Sequence, residues 1–215
     1  MSSQNGVSWV QLEAIATDNP YIDGVLKGLL VHDYDSFLDH LYTELDLAIT
    51  RLEENRELRK NDSEDRLTLD IVDWLKARGF YAEHDSQIGG HVDIVVRKNN
   101  YLWLGEAKIR RGNSNLWDGF LQLCTRYATG DTNQKEGGLL IYAREPNTSH
   151  QMNTWEEHLK SKALPEYSSA PCPKRSLSFF SVHNLEMSGQ EFRVRHMPVM
   201  LYFEPKDKSG RNRKG

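Results

Sequence analysis

The chain has only two cysteines, Cys124 and Cys172, among 215 residues. Two thiols so far apart, one of them inside a helical pattern, provide neither a disulfide framework nor the ligands of a structural zinc site. Long hydrophobic runs are missing as well: the longest, "VLKGLLV", falls far short of the roughly 20 apolar residues of a membrane span. The N-terminus "MSSQNGVSWV" lacks the charged and apolar regions of a signal peptide. The expected location is therefore the cytoplasm, with no membrane partner. Neither charge dominates, since the formal net charge is -4. A polyanionic partner would have to be met by a local basic patch. No internal repeat is present.

With 38% hydrophobic residues, the chain can bury a core and is expected to form one domain with additions. Four stretches follow from the patterning: a helical N-terminal segment at 1–60, a core at 61–146, an α/β extension packing on it at 147–205, and a basic disordered tail at 206–215. In the first stretch Phe37, Leu41, Leu45, Ala48 and Leu52 recur at helical spacing, with Asp35 or Ser36 as the expected cap. The opposite face carries Asp39, Glu44, Asp46, Glu53, Glu54 and Glu57 and reads as a solvated surface. Beyond the break at "NDS" come a helix over "EDRLTLDIVDWLKARG", strands at "FYAEHD", "HVDIVVR" and "YLWLGEAKI", a helix over "SNLWDGFLQLCTRYAT" and a buried strand, "GGLLIYA". Further on, a helix is expected near 150–162, then a loop rich in Pro and Ser, then two strands, "LSFFSV" and "EFRVRHMPVMLYF".

The stretch "GGHVDIVVRKNNYLWLGEAKIRRG" places acids where strands should be apolar. Asn99 and Asn100 read as a two-residue hairpin loop, because Asn tolerates the positive φ such loops demand. Counting outward sets Lys98 across from Tyr101, Val96 across from Trp103 and Asp93 across from Glu106. Val92, Ile94 and Val96 then share one side, and His91, Asp93, Glu106 and Lys108 gather on one face. Like charges directly opposed across a ladder destabilise the pair. The compensation is either a divalent cation or a structural arrangement in which one carboxylate is protonated or bonded to Lys108. Glu64, at the start of the preceding helix, either reaches this cluster or only complements the helix dipole. Trp103 and Trp117 fall on apolar stripes and read as packing.

Asp93, "GEAK" with Glu106 and Lys108, and the helical Glu64, set in an αβββαβ order, resemble the PD-(D/E)XK nuclease superfamily. The resemblance covers about residues 63 to 145. It implies an α/β fold with a restriction-endonuclease-like core around a central mixed sheet. It also implies metal ligands at Asp93, Glu106, the carbonyl of Ala107 and Glu64, and a catalytic Lys108. Gln122 is similar to the glutamine that several branches carry on the following helix, although Tyr127 stands one residue further on than the usual spacing; otherwise Gln122 is a helix-surface residue.

The implied activity is Mg²⁺-dependent endonucleolytic cleavage, with Mn²⁺ as a substitute and DNA as the expected partner. A bacterial defence or restriction-type role and a homodimer or higher homo-oligomer follow by analogy. Arg110, Arg111 and Arg126 are the expected phosphate contacts, with Gln122 and His91 as further candidates; His91 otherwise reads as a solvent-facing strand residue. Two other classes compete: a non-cutting nucleic-acid-binding or assembly subunit that keeps the fold, and an interaction protein built around the acidic helix.

Overall fold

The computed structural model describes residues 8–87 and 90–207. The tail expected at 206–215 lies, from residue 208 onward, outside the described residues. Helices α1 (Trp9–Thr17), α2 (Pro20–Leu29) and α3 (Tyr34–Glu54) open the chain, followed by the single turn α4 (Arg56–Arg59). The cap of α3 is Asp33, not Asp35 or Ser36. Asp33 accepts the Ser36 N–H at 2.7 Å while the Ser36 hydroxyl accepts the Asp33 N–H, which is a reciprocal capping box. Among the described residues no helix is long and apolar enough to cross a membrane.

The rest is mixed α/β. Helix α5 (Glu64–Ala77) precedes the antiparallel strands β1 (Tyr81–Gln87), β2 (His91–Lys98) and β3 (Tyr101–Ile109). Helix α6 (Asn113–Gln122) and a π-helical turn at Leu123–Tyr127 lead to β4 (Glu136–Ala143), which pairs parallel to β3 and is buried throughout. Helix α7 (Thr148–Lys160) is followed by β5 (Ser168–Pro171), β6 (Phe179–Asn184) and β7 (Glu191–Met200). The seven strands form one sheet in the order β1-β2-β3-β4-β7-β6-β5. The short edge strand β5 lies where the sequence reads as loop.

Near the turn the hairpin register is the expected one, with Lys98 across from Tyr101, Val96 across from Trp103 and Asn99 at φ 54, but the ladder ends at Ile94 with Gly105, so the expected Asp93–Glu106 pair is not part of it. The side-chain alternation differs from the expected one. Ile94 and Val96 pack with Trp103 under α3 and α5, whereas Val92 joins Val95 and Leu104 under α6 and α7. The flip occurs at Asp93. In β1 the facing Asp85 has φ 55, between the regular pairs His84 with Ile94 and Ser86 with Val92. A strand that breaks pleat at this point sends Val92 and Ile94 to different cores.

The acidic face of α3 is not uniformly solvated. Glu44 is buried against Arg78 at 3.2 Å and accepts from Trp74, Asp46 takes the buried Arg195 at 2.9 Å, and Glu53 takes Arg175 at 2.7 Å. The arginines that pair with Asp46 and Glu53 come from the C-terminal part of the chain, so α3 is tied electrostatically to β7 and to the connection between β5 and β6.

Gly105 and Gly138 stand side by side on β3 and β4 and clear a slot for the fully buried Trp103 indole. A Cβ on Gly138 would lie 2.4 Å from the Trp103 ring and 2.8 Å from Met197. Gly138→Ala is therefore expected to lower stability by about 1–3 kcal/mol through overpacking, read by chemical denaturation. Since the indole braces the two strands next to Glu106, this slot also fixes the geometry of the site.

Candidate active site

Glu106 and Lys108 flank Ala107 on β3, and alternation turns them toward α6 while the Ala107 methyl enters the core under α5. Helix α6 closes over them at Gly119. A Cβ there would stand 3.0 Å from Lys108 carbons and 3.3 Å from Cγ of Glu106. A mid-helix glycine costs about 1 kcal/mol of helix propensity; here it permits the close approach.

Asp93 arrives from the irregular point of β2. Its Oδ2 accepts the Ala107 N–H at 2.8 Å, filling a ladder position where β2 and β3 diverge. Glu64 arrives from the first turn of α5, set by the Ser63 cap, whose hydroxyl accepts the Arg66 N–H. The Glu64 carboxylate accepts the Ile109 N–H at 2.5 Å, so it both lies at a helix N-terminus and reaches the cluster. The Lys108 ammonium is 2.5 Å from Glu106, 3.7 Å from Asp93 and 4.0 Å from Glu64.

Three carboxylates thus converge on one ammonium. Burial, then the charge of Asp93, pushes Glu106 up to about 7 against the opposing pull of Lys108. Burial likewise raises Glu64, offset in part by the Ile109 N–H and Lys108. Lys108 itself is drawn down by burial, but Glu106, Asp93 and Glu64 outweigh that and hold it above the usual lysine value. It therefore stays protonated. Among the described residues no group of three or more His, Cys, Asp or Glu that could hold a metal ion is found, and the Lys108 ammonium lies among the three carboxylates. One atom is nevertheless suited to a cation: Glu106 Oε2 is buried with no donor bonded to it, and the Asp93 carboxylate stands close enough to share a proton with Glu106, which adds to the rise.

The expected substrate contacts divide. His91 does not join the carboxylates: it is exposed, its Nδ1 lies 2.7 Å from Asp85, and its carbonyl accepts from the Tyr127 hydroxyl. Arg111 and Arg126 are exposed, at opposite ends of the helical stretch covering the site. Arg110 is mostly buried, 3.6 Å from Glu145. Gln122 lies three residues, one turn, beyond Gly119, and its Oε1 is buried without a partner.

The π-helical turn accounts for the odd spacing of Tyr127. The Ala128 N–H bonds to Leu123 O, five residues back, so the helix absorbs one extra residue between Gln122 and Tyr127. Tyr127 thereby stays over the site, where burial and the charges of Glu106 and Asp93 raise its hydroxyl. Two features escaped the sequence reading. Gly119 carried a signal, an isolated glycine inside a helical pattern; Arg144, beside Glu64, carried none. Comparison with family models, curated proteins and solved structures found no match.

Proposed function

We propose that this chain is a metal-dependent nuclease that hydrolyses phosphodiester bonds, most readily in DNA, on a core of the restriction-endonuclease type. The order α5-β1-β2-β3-α6-β4 supports that core. The observation that carries the reading is Glu106: a buried carboxylate with one unpartnered oxygen, set beside Asp93 and a protonated lysine. Burying like charges together in a purely structural role is costly, and perturbed acids in such a cluster mark functional sites.

Asp93, Glu106 and Glu64 would hold Mg²⁺ or Mn²⁺, with the Ala107 carbonyl as a further oxygen. The bound ion supplies Lewis acidity and a more acidic water. Lys108, held protonated by its three carboxylates, neutralises charge that develops on the phosphate and orients the attacking water rather than accepting its proton. Glu64 fixes the end of β3 through the Ile109 N–H and so sets where Lys108 points.

The test is incubation of purified protein with plasmid, linear duplex and RNA, in Mg²⁺, in Mn²⁺ and with a chelator, alongside Asp93→Asn. Metal-dependent DNA cleavage that disappears in the variant is expected. Cleavage that survives the chelator would overturn the metal-dependent reading. Binding without cutting under every condition would leave the non-cutting subunit as the function.

A further inference from the structure

Around the site the buried polar atoms without partners fall into two sets. The acceptors Glu106 Oε2 and Gln122 Oε1 lie on β3 and α6, and the donors Arg110 Nε and Arg144 Nε lie just beyond the ends of β3 and β4. Buried polar groups are nearly always satisfied, so such atoms ask for a ligand or water. Acceptors call for a cation and donors for an anion.

Ile109 pairs with Tyr142, so Arg110 and Arg144 leave the adjacent ends of two parallel strands. They follow the C-terminal ends of two central strands. Arg144 donates Nη2 to the Asp62 carbonyl, one residue before the cap of α5, and feels the charges of Asp62 and Glu64. Arg110 faces away from α5, toward Glu145. The carboxylate of Glu145 is 69% exposed and 3.6 Å from an arginine whose side chain is only 14% exposed. A pair at this distance with one partner so exposed contributes little and does not repay burial of a guanidinium.

We propose that Arg110 and Arg144 form a split anion subsite, one arginine on either face of the sheet, each taking a backbone phosphate of the bound nucleic acid. The proposal rests on the nuclease reading above. Arginine forks suit phosphate oxygens, and such contacts fix the register of the strand without reading its sequence. Glu145 competes for Arg110 until substrate arrives.

The experiment is fluorescence anisotropy of labelled duplex DNA with the full chain in Ca²⁺, across a salt series. Every phosphate that the protein no longer neutralises lowers the slope of log affinity against log salt by about 0.9, so Arg110→Gln with Arg144→Gln should flatten it by nearly two. Glu145→Gln, at an exposed position that leaves the fold intact, should tighten binding. A double variant whose Mg²⁺ activation shifts while its salt slope stays at the wild-type value would make Arg144 a brace for Glu64 and overturn the subsite. So would unchanged affinity in Glu145→Gln. No binding by wild type would instead overturn the nuclease reading itself.

Discussion

Replacing Lys108 by Met is expected to lower the single-turnover rate of DNA cleavage by roughly 10²–10⁴, the range for a positioned group acting on proton transfer or developing charge. Three carboxylates surround its ammonium at 2.5, 3.7 and 4.0 Å. Removing the only cation among them makes the local potential more negative. The Mg²⁺ concentration needed for half-maximal rate should therefore fall or stay unchanged while the rate collapses. That split separates a role in the reaction from a role in holding the carboxylates apart. If Lys108 were only a structural counter-ion, the variant would need less Mg²⁺ and regain nearly full rate at saturation. Full activity at saturating Mg²⁺ would remove Lys108 from the chemistry and leave it a placeholder for the ion.

The pairing of β2 and β3 was legible because a two-asparagine loop admits few registers. That register was enough to bring Asp93, Glu106 and Lys108 together. It failed for Val92 and His91, because counting by twos assumes an unbroken pleat, and the pleat breaks at Asp93, opposite the positive-φ Asp85 of a different strand. The buried ion pairs of α3 were illegible for a related reason. An acidic helix face looks the same whether water or arginine meets it, and Arg175 and Arg195 lie more than a hundred residues away in sequence. The spacing of Tyr127 departs from the superfamily pattern by one residue, and the i+5 hydrogen bond at Ala128 identifies that extra residue as a π turn. Local rules thus gave elements and one hairpin, while everything set by contacts between distant segments needed coordinates.

The second large effect is on stability, and the largest part of its acid limb comes from the face opposite α3, with His40 on α3 itself, pulled down to about 4 chiefly by burial, adding to it. His196 is fully buried; its Nδ1 accepts the Trp155 indole N–H at 3.0 Å and its Nε2 lies 2.8 Å from the Ser181 hydroxyl. Both ring nitrogens are engaged, and burial, with neighbouring His183, pulls its pKa down to about 3; burial alone pulls His183 to about 4. In the unfolded chain both titrate near 6.5. Between those values the unfolded state binds protons that the folded state refuses, so stability is intact above about pH 6.5 and falls as pH drops. The sum for His196 is about 4–5 kcal/mol by pH 3. Glu106 has the opposite sign: its folded value of about 7 exceeds the unfolded 4.5, so the folded state keeps a proton that the unfolded state has released. Stability then falls as pH rises from 4.5 to 7, by about 3 kcal/mol in all. Urea denaturation of wild type and Glu106→Gln at pH 4.5 and pH 8 separates the limbs. The advantage of the variant should grow by about 3 kcal/mol toward pH 8, and saturating Mg²⁺ should narrow it by stabilising wild type alone. An advantage equal at both values would mean that Glu106 is ionised throughout, fully neutralised by Lys108, and that the cluster is a settled ion pair with no demand for a metal.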